Sequence, residues 1–154
     1  MNRRLRPLAA VVLVTALAGC SRSSSAPDVA AVVEGTKIPA AQTEALLTTA
    51  GSGAPLDGDR KQSLTHFVLL YQIKHALLRH LAEGMNISVE ARGLTPEAEA
   101  GRLSEAMARR LFPDVADEER QGRFMEWFDG RLRAAKVRVD GHFGRWDAGR
   151  GVVQ

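Results

Sequence analysis

Residues 59–83 read DRKQSLTHFVLLYQIKHALLRHLAE and form the longest helical pattern in the sequence. Two rows of apolar side chains follow helical spacing: Leu64, Phe67, Val68 and Tyr71 in one row, and Leu70, Ile73, Leu77 and Leu81 in the other. Two rows make a wider apolar surface than the single stripe of a surface helix. We therefore expect other elements to wrap around this helix up to Gly84. The alternative is that part of the surface lines a groove for an apolar segment of another protein.

A shorter helix is predicted before it, over residues 40–50. Pro39 precedes this segment and suits a first helical turn, because its fixed φ is already close to the helical value. The apolar spacing predicts that Ala41, Ala45 and Leu46 face inward.

Two more helices are predicted after the long one. Thr95 is a good N-cap, Pro96 suits the first helical position, and the helix should run to Leu111. Asp117 should cap the next helix, which we expect to pack on residues 59–83. One face of that last helix carries most of the large aromatic side chains, namely Phe124, Trp127 and Phe128, followed by Leu132 and Ala135.

The two ends of the helical region resemble β-strands. Residues 29–33 are apolar and β-branched and are followed by a turn signal at Gly35, whereas Val137 and Val139 alternate with charged residues. A lone strand leaves its backbone groups unpaired, so the two segments should pair although about a hundred residues separate them. The predicted fold is mainly α, with a small two-stranded β-sheet joining the N- and C-terminal ends of the domain.

The first twenty residues read as an export signal. Arg3, Arg4 and Arg6 precede an apolar run at 8–18, which is too short to span a membrane. The run closes with Leu-Ala-Gly and Cys20, the only cysteine of the chain. This resembles the lipobox of bacterial lipoproteins, which implies cleavage before Cys20 and lipidation of that residue. The alternative is a secreted soluble protein with a spare thiol.

Cleavage at this position divides the chain into four parts. Residues 1–19 are the signal peptide, 20–28 the lipidated cysteine and a polar tether, 29–147 the folded domain, and 148–154 a tail. Three of the 21 basic residues lie in the signal and none of the 18 acidic ones do, so the mature charge is balanced. The sequence therefore gives no indication of nucleic-acid binding. We expect a membrane partner through the lipid anchor, on the extracytoplasmic face of the cell membrane.

Both ends of the domain also resemble the N-terminal domain of SurA-type periplasmic chaperones. Residues 29–39, VAAVVEGTKIP, resemble that family's opening hairpin. Residues 135–139, AKVRV, and 143–147, FGRWD, resemble the close of its actinobacterial lipoprotein members. The chain departs from the pattern at Glu34, where Asn is usual, and at 141–143, where Pro-Arg-Tyr is usual.

The resemblance implies binding of unfolded or nascent exported proteins. Larger members of that family carry a parvulin-type isomerase domain after this one. Because this chain stops at Gln154, we expect that domain, and with it the enzymatic activity, to be absent. Candidate peptide-binding residues are Phe67, Tyr71, Phe143 and Trp146. For Phe143 and Trp146 the alternative is that they cover the core, and strand addition near 137–139 is a further route to binding. The rival function is an accessory lipoprotein with one dedicated envelope partner.

Catalysis and metal binding find little support in the sequence. His66, His75 and His80 are nine and five residues apart, whereas a zinc site on one helix prefers a spacing of four. The chain has neither a nucleophile elbow nor a Gly-rich phosphate loop with its downstream lysine. We therefore expect no metal, no cofactor and no catalytic residue.

Overall fold

The structure is a computed structural model that describes residues 27–51, 57–90 and 92–154. The four helices of this part of the chain are α1 (Ala40–Ala50), α2 (Gly58–Gly84), α3 (Pro96–Leu111) and α4 (Asp117–Ala134). Its strands are β1 (Val29–Val33), β2 (Thr36–Pro39), β3 (Val137–Val139), β4 (Trp146–Asp147) and β5 (Val152–Val153). None of these helices has both the length and the apolar character that crossing a membrane requires.

β1 is the central strand of a sheet ordered β2-β1-β3, with antiparallel pairing on both sides. Val33 lies opposite Val137 and Ala31 lies opposite Val139, so the two ends of the domain meet as expected. The sheet has three strands, however, and the prediction of two was wrong. The protein is mainly helical with small antiparallel sheets.

The third strand arises from the turn at Glu34 and Gly35. Both residues have positive φ, at 47° and 88°, and the two-residue turn folds Thr36–Pro39 back onto β1. Positive φ at both positions is the mark of a type I′ turn, whose twist matches that of paired strands. Glu34 also bonds to Lys136 at the start of β3: its N–H donates to the Lys136 carbonyl at 3.0 Å, and its Oε1 accepts from the Lys136 N–H at 2.8 Å.

A β-bulge in β1 places two consecutive small residues in the core. Val29 pairs with Pro39, but the next pair is Ala31 with Ile38, so Ala30 is the extra residue. Ala30 and Ala31 are both buried, together with Val33. The bulge interrupts the usual alternation of inward and outward side chains.

α2 contacts α1, α3 and β1, whereas α4 lies mainly against α3 and not, as expected, on residues 59–83. The aromatic side chains of α4 join the same core as α2, with Phe124 1% exposed. α1 turns Ala40 and Thr43 inward, so the expectation of Ala41, Ala45 and Leu46 was wrong. The cause is that α1 follows β2 directly, which fixes the rotation of α1: its first residue, Ala40, donates its N–H to the carbonyl of Asp28 at 3.1 Å.

The helix ends agree with the sequence in one case and differ in two. Thr95 caps α3 by accepting a hydrogen bond from the Ala98 N–H. Gly84 remains helical, and Asn86 takes the left-handed conformation that ends α2, with φ 55°. Asn tolerates this conformation better than most residues. Asp117 is the first residue of α4 rather than its cap.

A second hairpin, β4 with β5, closes the chain. Trp146 lies opposite Val153, and the backbone groups of Arg145 and Gln154 exchange hydrogen bonds at 2.7 and 2.9 Å. Val153 is buried, and β5 lies against α2. Residues 148–154 therefore pack on the domain, and the expected boundary at 147 falls inside this hairpin.

Gly144 should be essential to this closure. A Cβ built on it lies 2.8 Å from Val153 Cγ1 and 3.1 Å from the Gln154 carbonyl oxygen, and its φ is +127°. We expect Gly144→Ala to lower the free energy of unfolding by about 2 kcal/mol, measured by denaturant titration. The matched control is Gly141→Ala, since a Cβ there meets nothing within 4 Å. It should change stability by less than about 0.5 kcal/mol, and equal effects of the two changes would contradict the role of Gly144.

Candidate functional site

A groove of about 730 Å³ lies where β2, α1, α2 and α3 meet. α2 contacts both α1 and α3, and its groove face runs from Tyr71 to Glu83. The lining is mixed, with aliphatic side chains from β2 and α1 and charged side chains from α2 and α3.

The apolar part of the groove comes mainly from the side of α1 that points away from the core. Leu46 is 38% exposed and lines the groove with Ala45, and Ala76 contributes from α2. Ile38 of β2 borders the groove and is itself almost fully buried. The fixed rotation of α1 thus leaves on the surface the leucine that the sequence pattern placed in the core.

Tyr71, His75 and Arg79 on α2 form a row, called the ladder below. This row contacts two carboxylates of α3 along one side of the groove. The Tyr71 hydroxyl donates to Glu97 Oε1 at 3.2 Å, and Arg79 Nε lies 3.3 Å from Glu99 Oε1. His75 stands between them, its ring nearly parallel to that of Tyr71 with centroids 6.3 Å apart. Its Nε2 lies 3.7 Å from Glu99 Oε2, which is an ion-pair distance if the ring is charged but too long for a hydrogen bond.

Burial is the main cause of the pKa shifts of His75 and Tyr71. Burial lowers the pKa of His75 below its ordinary value of 6.5, and the nearby Glu99 opposes that shift without cancelling it. Burial also raises the pKa of Tyr71, with a further contribution from its hydrogen bond to Glu97. The pKa of Glu97 is lowered by its own backbone N–H, then by hydrogen bonds from Thr95 and Tyr71. At neutral pH His75 is therefore neutral between a phenol and a carboxylate.

A buried amide lies between α1 and α2. The Thr43 hydroxyl and Gln72 Oε1 are 2.8 Å apart, and both side chains are buried. Gln72 also lines the groove, and its Nε2 finds no hydrogen-bond acceptor in the part of the chain that the structure describes. A buried donor without a partner costs free energy, so a ligand in the groove that offers an acceptor to Gln72 Nε2 would gain a hydrogen bond.

The four predicted peptide-binding residues are separated by the fold. Only Tyr71 lines the groove. Phe67 is 69% exposed one turn earlier on α2, where residues four apart share a face. Phe143 is 3% exposed and lies in the core, as the alternative for that residue held, and Trp146 is half-buried against the same core.

Sequence reasoning missed the polar half of the groove. Tyr71, His75 and Arg79 follow each other at four-residue spacing, a signal that one face of α2 carries polar groups. Glu97 and Glu99 lie in the first turn of α3, where the helix dipole is enough to explain acidic residues, and nothing in their spacing points to α2. Glu99 is in fact largely buried beside His75.

Metal binding gains no geometric support. A second cavity of about 530 Å³ between α1, α2 and residues 141–144 brings Glu44, His66 and His142 to one lining. Within residues 27–51, 57–90 and 92–154, however, no three His, Cys, Asp or Glu side chains are grouped so that they could hold a metal ion.

Comparison with known proteins adds no relative. No family model matches the sequence, and no curated protein or solved structure matches it significantly. What the groove does is therefore argued from its own residues.

The ladder predicts an acid-sensitive stability. Because the pKa of His75 is lower folded than unfolded, the unfolded chain takes up the proton first as pH falls. The neutral histidine contributes stability above pH 6.5, and that contribution is lost on acidification. Denaturant unfolding at pH 7.5, about 6.5 and about 5.5 should show a decline for the wild type and a shallower one for His75→Gln. His80→Gln, on the exposed rim, is the control and should follow the wild type. Parallel slopes for all three proteins would contradict the assignment.

Proposed function

We propose that the protein is a lipid-anchored, ATP-independent chaperone of the cell envelope that binds unfolded or partly folded exported polypeptides. The groove between β2, α1, α2 and α3 is the observation that carries this proposal. Its open form admits a polypeptide segment, and its walls offer both apolar contacts and hydrogen-bonding groups.

The apolar contacts suit transient holding. Full burial of a leucine-sized side chain is worth about 1.5–3 kcal/mol, and Leu46 is already partly covered. A few such contacts offset the cost of ordering a flexible segment only in part. Weak, reversible binding of many sequences follows, and reversible release lets a client fold without an energy source.

The assignment to the SurA-type N-terminal domain belongs to the same proposal. It is supported by the order of the elements, in which a β-hairpin opens the domain, helices follow, and a strand returns to pair with the first one. It is also supported by the sequence likeness at both ends of the domain. On this assignment the chain binds polypeptides.

Lipid anchoring is proposed from the sequence alone, because residues 1–26 lie outside the described residues. Cys20 follows Leu-Ala-Gly at the end of a short apolar run, and acylation at both its sulfur and its amino group supplies the two or more chains that stable anchoring needs. On this proposal residues 20–28 are the lipidated cysteine and a polar tether.

Substituting Leu46 should test the groove as a client site. The soluble form, residues 21–154, should reduce light scattering by an unfolded protein diluted from denaturant, and Leu46→Glu should remove most of that effect. Met125→Glu is the matched control, because Met125 is 45% exposed on α4 and does not line the groove. If the wild type leaves aggregation unchanged at several-fold excess, the chaperone function is refuted. Capture of one stoichiometric envelope protein, with no effect on unfolded clients, would favour the accessory role.

Changing Cys20 should release the protein from the membrane. We expect that Cys20→Ser, which cannot form the thioether, either moves to the soluble fraction or remains unprocessed with its signal peptide attached. Mass spectrometry of the wild-type protein should show a diacylglyceryl modification at Cys20. An unmodified N-terminus with the wild type in the soluble fraction would refute the anchor.

A further inference from the structure

β2 is an edge strand, and the groove lies beside that edge. β1 pairs with β2 on one side and β3 on the other, so the far side of β2 has no strand neighbour in the described sheet. Thr36, Lys37 and Ile38 all line the groove, whereas no residue of β3 does. An exposed edge is where an extended segment of another chain can add to a sheet.

The pairing pattern shows which backbone groups of β2 are free. Val33 and Thr36 flank the two-residue turn, so their backbone groups bond to each other, and directions alternate along the strand. The Lys37 N–H and C=O therefore point away from β1, to the groove side. The bonds between β1 and β3 fit this alternation. On that side the Glu34 N–H donates to the Lys136 carbonyl, and the Ala30 carbonyl accepts from the Asp140 N–H. No described backbone or side-chain group bonds to either group of Lys37.

The edge admits only a short addition. Pro39 has no N–H, and the Thr43 hydroxyl lies 3.5 Å from its carbonyl at the start of α1. Lys37 thus supplies one donor and one acceptor, enough to pair with a single residue of an added segment. Lysine and proline on an edge also oppose open-ended pairing between copies of the chain.

The side chains around the edge define the added segment. Residues on either side of the paired one would lie on the Ile38 face of the sheet, which is the face that α1 and α2 cover. The paired residue would lie beside Lys37, whose exposed ammonium favours a carboxylate across the strands. The preferred segment is therefore extended, with an acidic residue between two apolar ones.

We infer that clients bind by adding a strand to the β2 edge, with an acidic residue paired to Lys37 and its apolar neighbours directed into the groove. This inference rests on the proposed function and names the class of segment that the groove takes. It accounts for broad client range, because backbone hydrogen bonds are common to all sequences and the side-chain requirement is short.

Backbone methylation of a peptide tests the inference without changing the protein. The probe is a fluorescently labelled acetyl-Ser-Thr-Val-Glu-Val-Thr-Ser-amide, followed by anisotropy with residues 21–154. Methylating the Glu nitrogen removes the donor to the Lys37 carbonyl and should weaken binding roughly tenfold or more. Methylating the nitrogen of the second Val is the control, since that N–H points away from β2, and it should change affinity less than threefold.

Two substitutions test the same contact from the protein side. Lys37→Pro removes the outward N–H without removing a bond to β1, a change that edge strands tolerate. Lys37→Ala keeps the N–H and removes the ammonium. We expect Lys37→Pro to weaken binding of the probe roughly tenfold, because the backbone donor is lost. Lys37→Ala should weaken it a few-fold, because only the ion pair with the Glu of the probe is lost. Thermal unfolding shows whether each variant is folded. If Lys37→Pro does not fold, the methylated peptides alone decide whether clients add a strand to β2.

The outcomes separate this inference from the proposed function. If methylation at Glu and at Val have equal effects, strand addition is refuted, while Leu46→Glu can still abolish client holding. If the probe does not bind but unfolded proteins are held, the inference fails and the chaperone function stands. If neither the probe nor unfolded proteins bind, the proposed function itself fails.

Discussion

The pairing of β1 with β3 is the contact on which the rest of the structure depends. Glu34 and Lys136, which exchange two hydrogen bonds, are 102 residues apart, so this pairing closes nearly the whole domain. Closing so long a loop costs entropy, which the buried Ala30, Ala31 and Val33 and the backbone hydrogen bonds on both sides of β1 offset. α1 and α2 pack against this sheet, α3 packs on α2, and α4 packs on α3.

Helical periodicity and strand alternation predicted the main elements because each is a local pattern with a strong physical cause. The apolar rows of residues 59–83 gave α2 to within a residue at each end, and Thr95 with Pro96 gave the start of α3. The need of a lone strand for a partner predicted β1 with β3. β2 was not counted as a strand because Ile38 and Pro39 read as the approach to a helix, although the turn signal at Gly35 and the likeness to an opening hairpin both pointed to it. β4 and β5 are two residues each, too short for any period to register.

The groove was less predictable because it forms between elements. Tyr71 could be chosen from its place in an apolar row, but its hydrogen bond to Glu97 depends on how α3 lies across α2. Leu46 looked like a core residue since its spacing fits one, and the short link from β2 turned it outward. For Phe143 the Gly-rich segment left both client contact and coverage of the core open, and the residue is buried because the β4–β5 hairpin folds that segment back over the core. The local sequence predicts that a segment is helical. Which of its faces turns toward the core depends on how the helix is held by its neighbours.

The central position of β1 has a mechanical meaning. β1 begins at Val29 and comes before the other strands and helices of the described residues, so tension on the chain before it acts directly on a strand that is paired on both sides. Pulling that strand out along its own axis would load its hydrogen bonds to β2 and β3 together rather than one after another. The hairpin turn at Glu34 and Gly35 and the contact with Lys136 lie at the far end of this strand. Tension on the chain before Val29 would therefore be opposed by two rows of hydrogen bonds at the same time.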